Sequence, residues 1–261
     1  DTAVPLSKNQ QKKLRREAKL AVKKALYKEK NKAEQKAKRR QLAESGIVAE
    51  RKQRSEFIAH EQKAPHATIV FDCAWTESLM PERDCRSLSQ QLLRSYSLNR
   101  KTLLPFNVAV SSVEGKFEKR LQAMDGYMNW THFSFRSDHF LQTYPLTDHN
   151  VIYLSSEGEN DLTDIPSNAV IVIGAIIDRN HHKGLCATWA KEHGIPVFRL
   201  PIKDHVKLAS SAVLTCNQVF EMLLQVVNGS SWADAVKDQV PLRKRQQEEE
   251  PAPSEVASQW D

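Results

Sequence analysis

Between residues 67 and 201 the chain repeats one pattern: a short apolar run, a polar break, then a stretch with helical periodicity. The apolar runs cover 67–75, 106–112, 131–135, 150–156, 168–178 and 195–201. Runs this short, closed by turn-forming or charged residues, predict strands buried on both faces. After Pro81, the residues Cys85, Leu88, Leu92, Leu93 and Tyr96 recur at i, i+3, i+7, i+8 and i+11, which predicts an amphipathic helix. "GLCATWAKEHG" predicts a helix ended by Gly194. A long, nearly all-apolar helix is expected from Ala212 to Gly229, and a short last one over "SWADAVKDQV", capped by Ser230 or Ser231. Strands alternating with helices restrict the chain to an α/β sheet, mostly parallel, with helices on both faces. Such sheets bind ligands outside the carboxyl ends of their strands. Three ends stand out: "YLSSE" at 153–157, "GAIIDRN" at 174–180 and "FRLPIKDH" at 198–205.

Charge divides the chain differently. Residues 1–63 hold 19 Lys and Arg against 8 Asp and Glu, about +11, and the other 198 residues hold 19 against 24, about −5. Helix formers fill the first segment, with no Pro or Gly between Leu6 and Ser45. Its apolar stripe of Leu14, Ala18, Ala21 and Ala25 is thin, so the helix buries little by itself. It reads either as a solvated helix or coiled coil, or as a helix that offers Lys12, Lys13, Arg15, Arg16, Lys23, Lys24, Arg39 and Arg40 to the phosphates of an RNA. The expected organisation is a basic helical arm and linker over 1–63, an α/β domain over 64–241 and a polar tail without fixed structure over 242–261.

Several chemistries are disfavoured. Cys73, Cys85, Cys186 and Cys216 are scattered with no CxxC pair, which argues against a zinc ribbon or a disulfide scaffold. No apolar stretch approaches the roughly 20 residues of a membrane span, and no signal peptide is visible. Adjacent His181 and His182 diverge on either a helix or a strand, so a metal site is disfavoured. Gly174 and Gly184 make neither GxGxxG nor GxxxxGK[ST], and no GxSxG elbow exists. Asp178 stands out at the end of its apolar run. Two roles are open to it: a cap or turn residue, or a carboxylate at the cleft that accepts a substrate proton or hydrogen bond.

The segments "NVIYLSSE", "VIVIGAIIDRNHHKGL" and "VFRLPIKDHVKL…AVLTCNQVFEMLL", with "FDCAW…LSQQLLRSYSLNRK" and "MNW" upstream, resemble the tRNA (guanine-9-N1)-methyltransferase family of the SPOUT class from about Thr68 to Pro241. That resemblance implies a Rossmann-like α/β domain with a deep trefoil knot at its carboxyl end, over about Leu154 to Gln225. It implies S-adenosylmethionine as cofactor, tRNA as partner, no metal, no membrane and a monomer in the nucleus or cytoplasm, with a mitochondrial location less favoured. Carried over, Leu154, Ser155, Gly174, Asp178, Arg179, Asn180, His181, His182, Cys186, Leu200, Ala212, Val213 and Leu214 would form the cofactor site, with Asn217 facing the same cavity. Asp178 would be the candidate base at N1 of the ninth purine. Arg179 and Lys183 would join the arm in contacting RNA. Within the same family, an adenine-9 or dual-specificity enzyme of the mitochondrial RNase P type and an inactive RNA-binding scaffold are the alternatives.

Overall fold

The computed structural model describes residues 7–44, 47–179, 181–209 and 211–246. The chain divides into two compact units, Asp1–His60 and Glu61–Asp261.

The first unit is helical. α1 spans Lys8–Glu44 and α2 spans Ile47–Glu61. The described side chains of α1 are almost all exposed, including the apolar Leu14, Leu20, Val22 and Leu26. Every arm residue named above lies on α1; the side chain of Arg39 is outside the described ones. Ion pairs within a turn, Lys30–Glu34 at 3.9 Å and Lys52–Glu56 at 3.8 Å, add only modest local support.

The second unit holds the sheet. Its strands are β1 (Thr68–Asp72), β2 (Asn107–Ser111), β3 (Phe133–Phe135), β4 (Val151–Leu154), β5 (Asn160–Asp161), β6 (Val170–Gly174) and β7 (Val197–Arg199). All pairings are parallel, in the order β3-β2-β1-β6-β4-β7-β5. The helices are α3 (Thr76–Leu79), α4 (Glu82–Asn99), α5 (Gly115–Gln122), α6 (Phe140–Thr143), α7 (Leu185–Glu192), α8 (Ile202–His205), α9 (Cys216–Val227) and α10 (Trp232–Gln239).

Alternation along the strands builds two cores. Ile69, Phe71, Val108, Val110, Ile171 and Ile173 face one side, under Leu88 and Leu92 of α4, Phe117 of α5 and Phe220 of α9. Val70, Ala109, Val151, Tyr153, Val170 and Val172 face the other, under Phe140 of α6 and Ala187 and Ala190 of α7. In α4 the buried stripe runs through Cys85, Leu88, Leu92 and Asn99, whereas Leu93 is partly exposed. Asn99 clamps the turn into β2: its Nδ2 donates to the Phe106 carbonyl at 2.8 Å and its Oδ1 accepts from the Phe106 N–H at 2.9 Å.

Several elements differ from the sequence expectation, which did not include the helices α3, α5, α6 and α8. β6 ends at Gly174, not Asp178, because its neighbour β1 ends at the paired Asp72. The Ala175 N–H still donates to the Asp72 carbonyl, and then Ile176 and Ile177 pack sideways on the core. α9 begins at Cys216, not Ala212, because Thr215 and Gln218 close a capping box there. β5 was not legible, since two polar residues carry no apolar signal; Arg199 of β7 holds it through paired bonds to Asp161 of 2.8 and 3.0 Å. Residues 242–246, expected to lack structure, form a 3-10 turn at Leu242–Lys244 and an antiparallel bridge from Arg245 to Leu208. The tail from 247 onward lies outside the described residues.

Candidate cofactor pocket

Because β4, β6 and β7 are parallel neighbours, their carboxyl ends lie on one edge of the sheet. A cavity opens there, and each end supplies part of it. Leu154, Ser155, Ser156 and Glu157 end or follow β4; Ile173, Gly174, Ile176 and Asp178 end or follow β6; Arg199, Leu200, Ile202 and Lys203 end or follow β7. His182, Gly184, Leu185 and Cys186 lead into α7, and Ala212, Val213, Leu214, Cys216 and Val219 close the far wall. The empty space, open mouth included, is about 1050 Å³, ample for a ligand of nucleoside size.

Of the expected cofactor residues, Leu154, Ser155, Gly174, Asp178, His182, Cys186, Leu200, Ala212, Val213 and Leu214 line this cavity. Arg179 and His181 are exposed and outside the lining, as is Lys183, and Asn180 lies outside the described residues. Asn217 is buried behind the wall, where its Oδ1 accepts from the Thr215 hydroxyl at 2.9 Å.

Gly174 is required by packing. A Cβ there would meet Cys186 Sγ at 2.6 Å and the Tyr153 hydroxyl at 3.3 Å. So Gly174→Ala is expected to cost about 1–3 kcal/mol of stability, as overpacking does. Cys186→Ala in the same chain should return most of it. Urea unfolding of the single and double variants reads this, and additive losses would contradict the contact.

Asp178 organises its own loop. Its Oδ2 accepts from the His182 N–H at 2.7 Å, and His182 Nδ1 lies 3.4 Å from the same oxygen. The turn this closes carries Arg179 at φ +54°, a left-handed conformation that costs a non-glycine residue about 1–2 kcal/mol. Across the cavity, the hydroxyls of Ser155 and Ser156 both donate to Glu157 Oε2, at 2.6 and 3.0 Å, and fix that carboxylate at the wall.

Behind Gly174 lies a polar chain that sequence reasoning missed. Asp72 is fully buried at the end of β1. Its Oδ2 accepts from the Tyr153 hydroxyl at 3.0 Å and its Oδ1 from the Ala74 N–H at 3.1 Å. The Tyr153 hydroxyl and the Cys186 thiol both close in on Gly174. Burial pushes the Asp72 carboxyl above its ordinary range, opposed by the Ala74 N–H, by His139 and by the Tyr153 hydroxyl. The only sequence signal was an Asp closing an apolar run, which is also how many strands end. A raised native value means the folded state holds the proton longer than the unfolded chain. That contribution to stability is complete below about pH 4 and lost as pH rises through the native value. Asp72→Asn is therefore expected to gain on the wild type as pH rises from 4 to 8, measured by thermal melts; a constant difference would contradict this.

The thiols of the wall are not nucleophiles. Burial pushes Cys186 and Cys216 up to about 12, so both stay protonated at neutral pH. Among the described residues no group of three or more His, Cys, Asp or Glu could hold a metal ion, and no helix is long and apolar enough to cross a membrane. The pocket combines apolar walls with the carboxylates of Glu157 and Asp178 and the basic side chains of His182, Arg199 and Lys203.

The chain is similar to several known proteins. A tRNA (guanine(9)-N1)-methyltransferase of Schizosaccharomyces pombe is 30% identical over 222 residues, covering 84% of this chain and 72% of that protein. Its counterpart in Kluyveromyces lactis is 30% identical over 266 residues, covering 97% of this chain and 87% of that protein. The crystal structure of full-length spTrm10 in complex with SAH superposes with a TM-score of 0.63 at 31% identity, covering 69% of this chain and 98% of that one. The model of the family tRNA (guanine(9)-N(1))-methyltransferase TRM10/TRM10A matches residues 4–245, and the chain belongs to that family.

Proposed function

We propose that the protein transfers a methyl group from S-adenosylmethionine to N1 of guanine at position 9 of tRNA. The observation that carries this reading is the cavity at the ends of β4, β6 and β7, in a chain that superposes on a relative solved with SAH. The residues present fit the cofactor. Leu154, Leu200, Ala212, Val213 and Leu214 offer the apolar walls an adenine ring needs. Glu157, held by two serine hydroxyls, is an acceptor for ribose hydroxyls. Bound, the cofactor supplies a methyl on a sulfonium: the C–S electron pair stays on sulfur, and N1 takes the methyl.

N1 of guanine carries a proton that must leave. In this reading Asp178 accepts the N1–H hydrogen bond, orients the base and takes the proton. Its anchored Oδ2 supports the positioning part of that role, because the carboxylate cannot swing away without opening the 178–182 turn. The basic α1 contacts the tRNA backbone, with Arg179 and Lys183 at the pocket rim, and the enzyme works as a monomer. We also read the chain from about residue 154 to 225 as threaded in the trefoil knot of its class; the family match supports this.

The test is methylation of unmodified tRNA transcripts that differ only at position 9. Label from S-adenosylmethionine should appear at N1 of G9. Label only on A9 transcripts would assign adenine specificity, and SAH binding without methylation of either would assign a scaffold.

A further inference from the structure

Beyond α10 the chain turns back along the cofactor pocket. After the 3-10 turn at Leu242–Lys244, the Ala209 N–H donates to the Lys244 carbonyl at 2.8 Å and the Gln246 N–H to the Lys207 carbonyl at 2.9 Å. Arg245 ties this strap down from behind: its guanidinium donates to the carbonyls of Lys237 and Val240, at the end of α10. Lys244 reaches further in. Its ammonium donates to the Ser211 carbonyl at 3.1 Å and to the Val213 carbonyl.

The segment so gripped is an irregular part of the wall. Between α8 and α9 the described residues form neither helix nor strand beyond the single bridge at Leu208. Yet Ala212, Val213 and Leu214 line the cavity. Loop carbonyls need donors as much as any others, and here one half-buried cation serves two of them. Burial lowers the pKa of that ammonium below the usual lysine value, and the charge of Arg243 lowers it further. A cation held where burial opposes its charge is matched by the carbonyls it holds.

We propose that the 241–246 strap is a latch on the cofactor pocket and that Lys244 is a positioning residue, keeping 211–214 in the shape that receives the adenosyl group. This rests on the reading of the cavity as the S-adenosyl site. Lys244 touches the wall and not the reacting atoms, so its effect belongs to binding. KM for S-adenosylmethionine should rise while kcat at saturating cofactor holds.

The deciding experiment is calorimetric titration of the full chain with S-adenosylhomocysteine, without RNA. Lys244→Met keeps the apolar stem and loses the donors; Kd should rise about tenfold or more, the scale of charge-assisted bonds lost. Lys244→Arg can still donate to both carbonyls and should stay within about threefold. A Lys244→Met affinity equal to wild type overturns the latch. A wild-type chain that does not bind the ligand overturns the reading of the cavity instead. If Lys244→Met does not fold, amide hydrogen exchange on the wild type decides: the ligand should slow exchange in 208–214 and 242–246 together, and protection of the first alone overturns the proposal.

Discussion

Asp178→Asn is expected to lower turnover on G9-bearing tRNA by about 100-fold or more, the lower bound for loss of a positioned proton acceptor. Binding of S-adenosylhomocysteine should stay within a few-fold of wild type. The two effects separate because the proton-accepting role proposed for Asp178 is distinct from its capping of the turn. Its Oδ2 caps the turn to His182, and an Asn oxygen can accept the same backbone N–H. Only the charge, and with it the capacity to take a proton, is lost. Asp178→Ala removes both jobs, so it should also weaken cofactor binding, since the loop that carries His182 and Cys186 into the wall loses its cap. Single-turnover rates over a pH series, paired with calorimetry, make the distinction. Unchanged turnover in Asp178→Asn at every pH would remove the proton-accepting role. Equal cofactor affinities for the Ala and Asn variants would remove the capping role.

Deleting residues 1–45 should have the next largest effect, on tRNA affinity. The cut removes α1 whole and leaves the unit Glu61–Asp261 intact. Each phosphate contact contributes about 0.7–0.9 to the slope of log affinity against log salt, so loss of several contacts should cost on the order of 100-fold at moderate salt and flatten the slope. Cofactor binding, measured without RNA, should not change. Filter-binding titrations at 50, 100 and 200 mM salt would test this. An unaltered slope would show that α1 is not the electrostatic contact and return it to the solvated-helix reading.

Much of the fold was legible because apolar periodicity reports burial. The six expected strands and the main helices are present, and the parallel sheet follows from their alternation. What periodicity could not give was where a buried run stops being a strand. Ile176 and Ile177 are as apolar as Ile171 and Ile173, yet only the latter pair with neighbours. Ala212, Val213 and Leu214 likewise looked like the first turn of α9, but their apolarity serves the cavity wall. The pocket itself was legible through family resemblance, which identified ten of its lining residues. The support behind it was not. Asp72 and Tyr153 are 81 positions apart and meet only because β1 and β4 flank β6. Lys244 was hidden for a related reason: a basic residue in a polar tail gives no sign that it grips a loop more than thirty positions earlier.

The strand order also sets a timetable for synthesis. β1 finds β2, and β2 finds β3, soon after they are made, but the other neighbour of β1, β6, pairs Val170 with Thr68, roughly a hundred residues later. Until then the nascent chain carries Ile69, Val70 and Phe71 on an open edge, with backbone donors and acceptors exposed on that side. The half-sheet β1–β3 is therefore made well before β6, the strand that joins it to β4 and β7. Slowed translation between β3 and β6 is where this protein would be most exposed to edge-to-edge aggregation and most dependent on a chaperone.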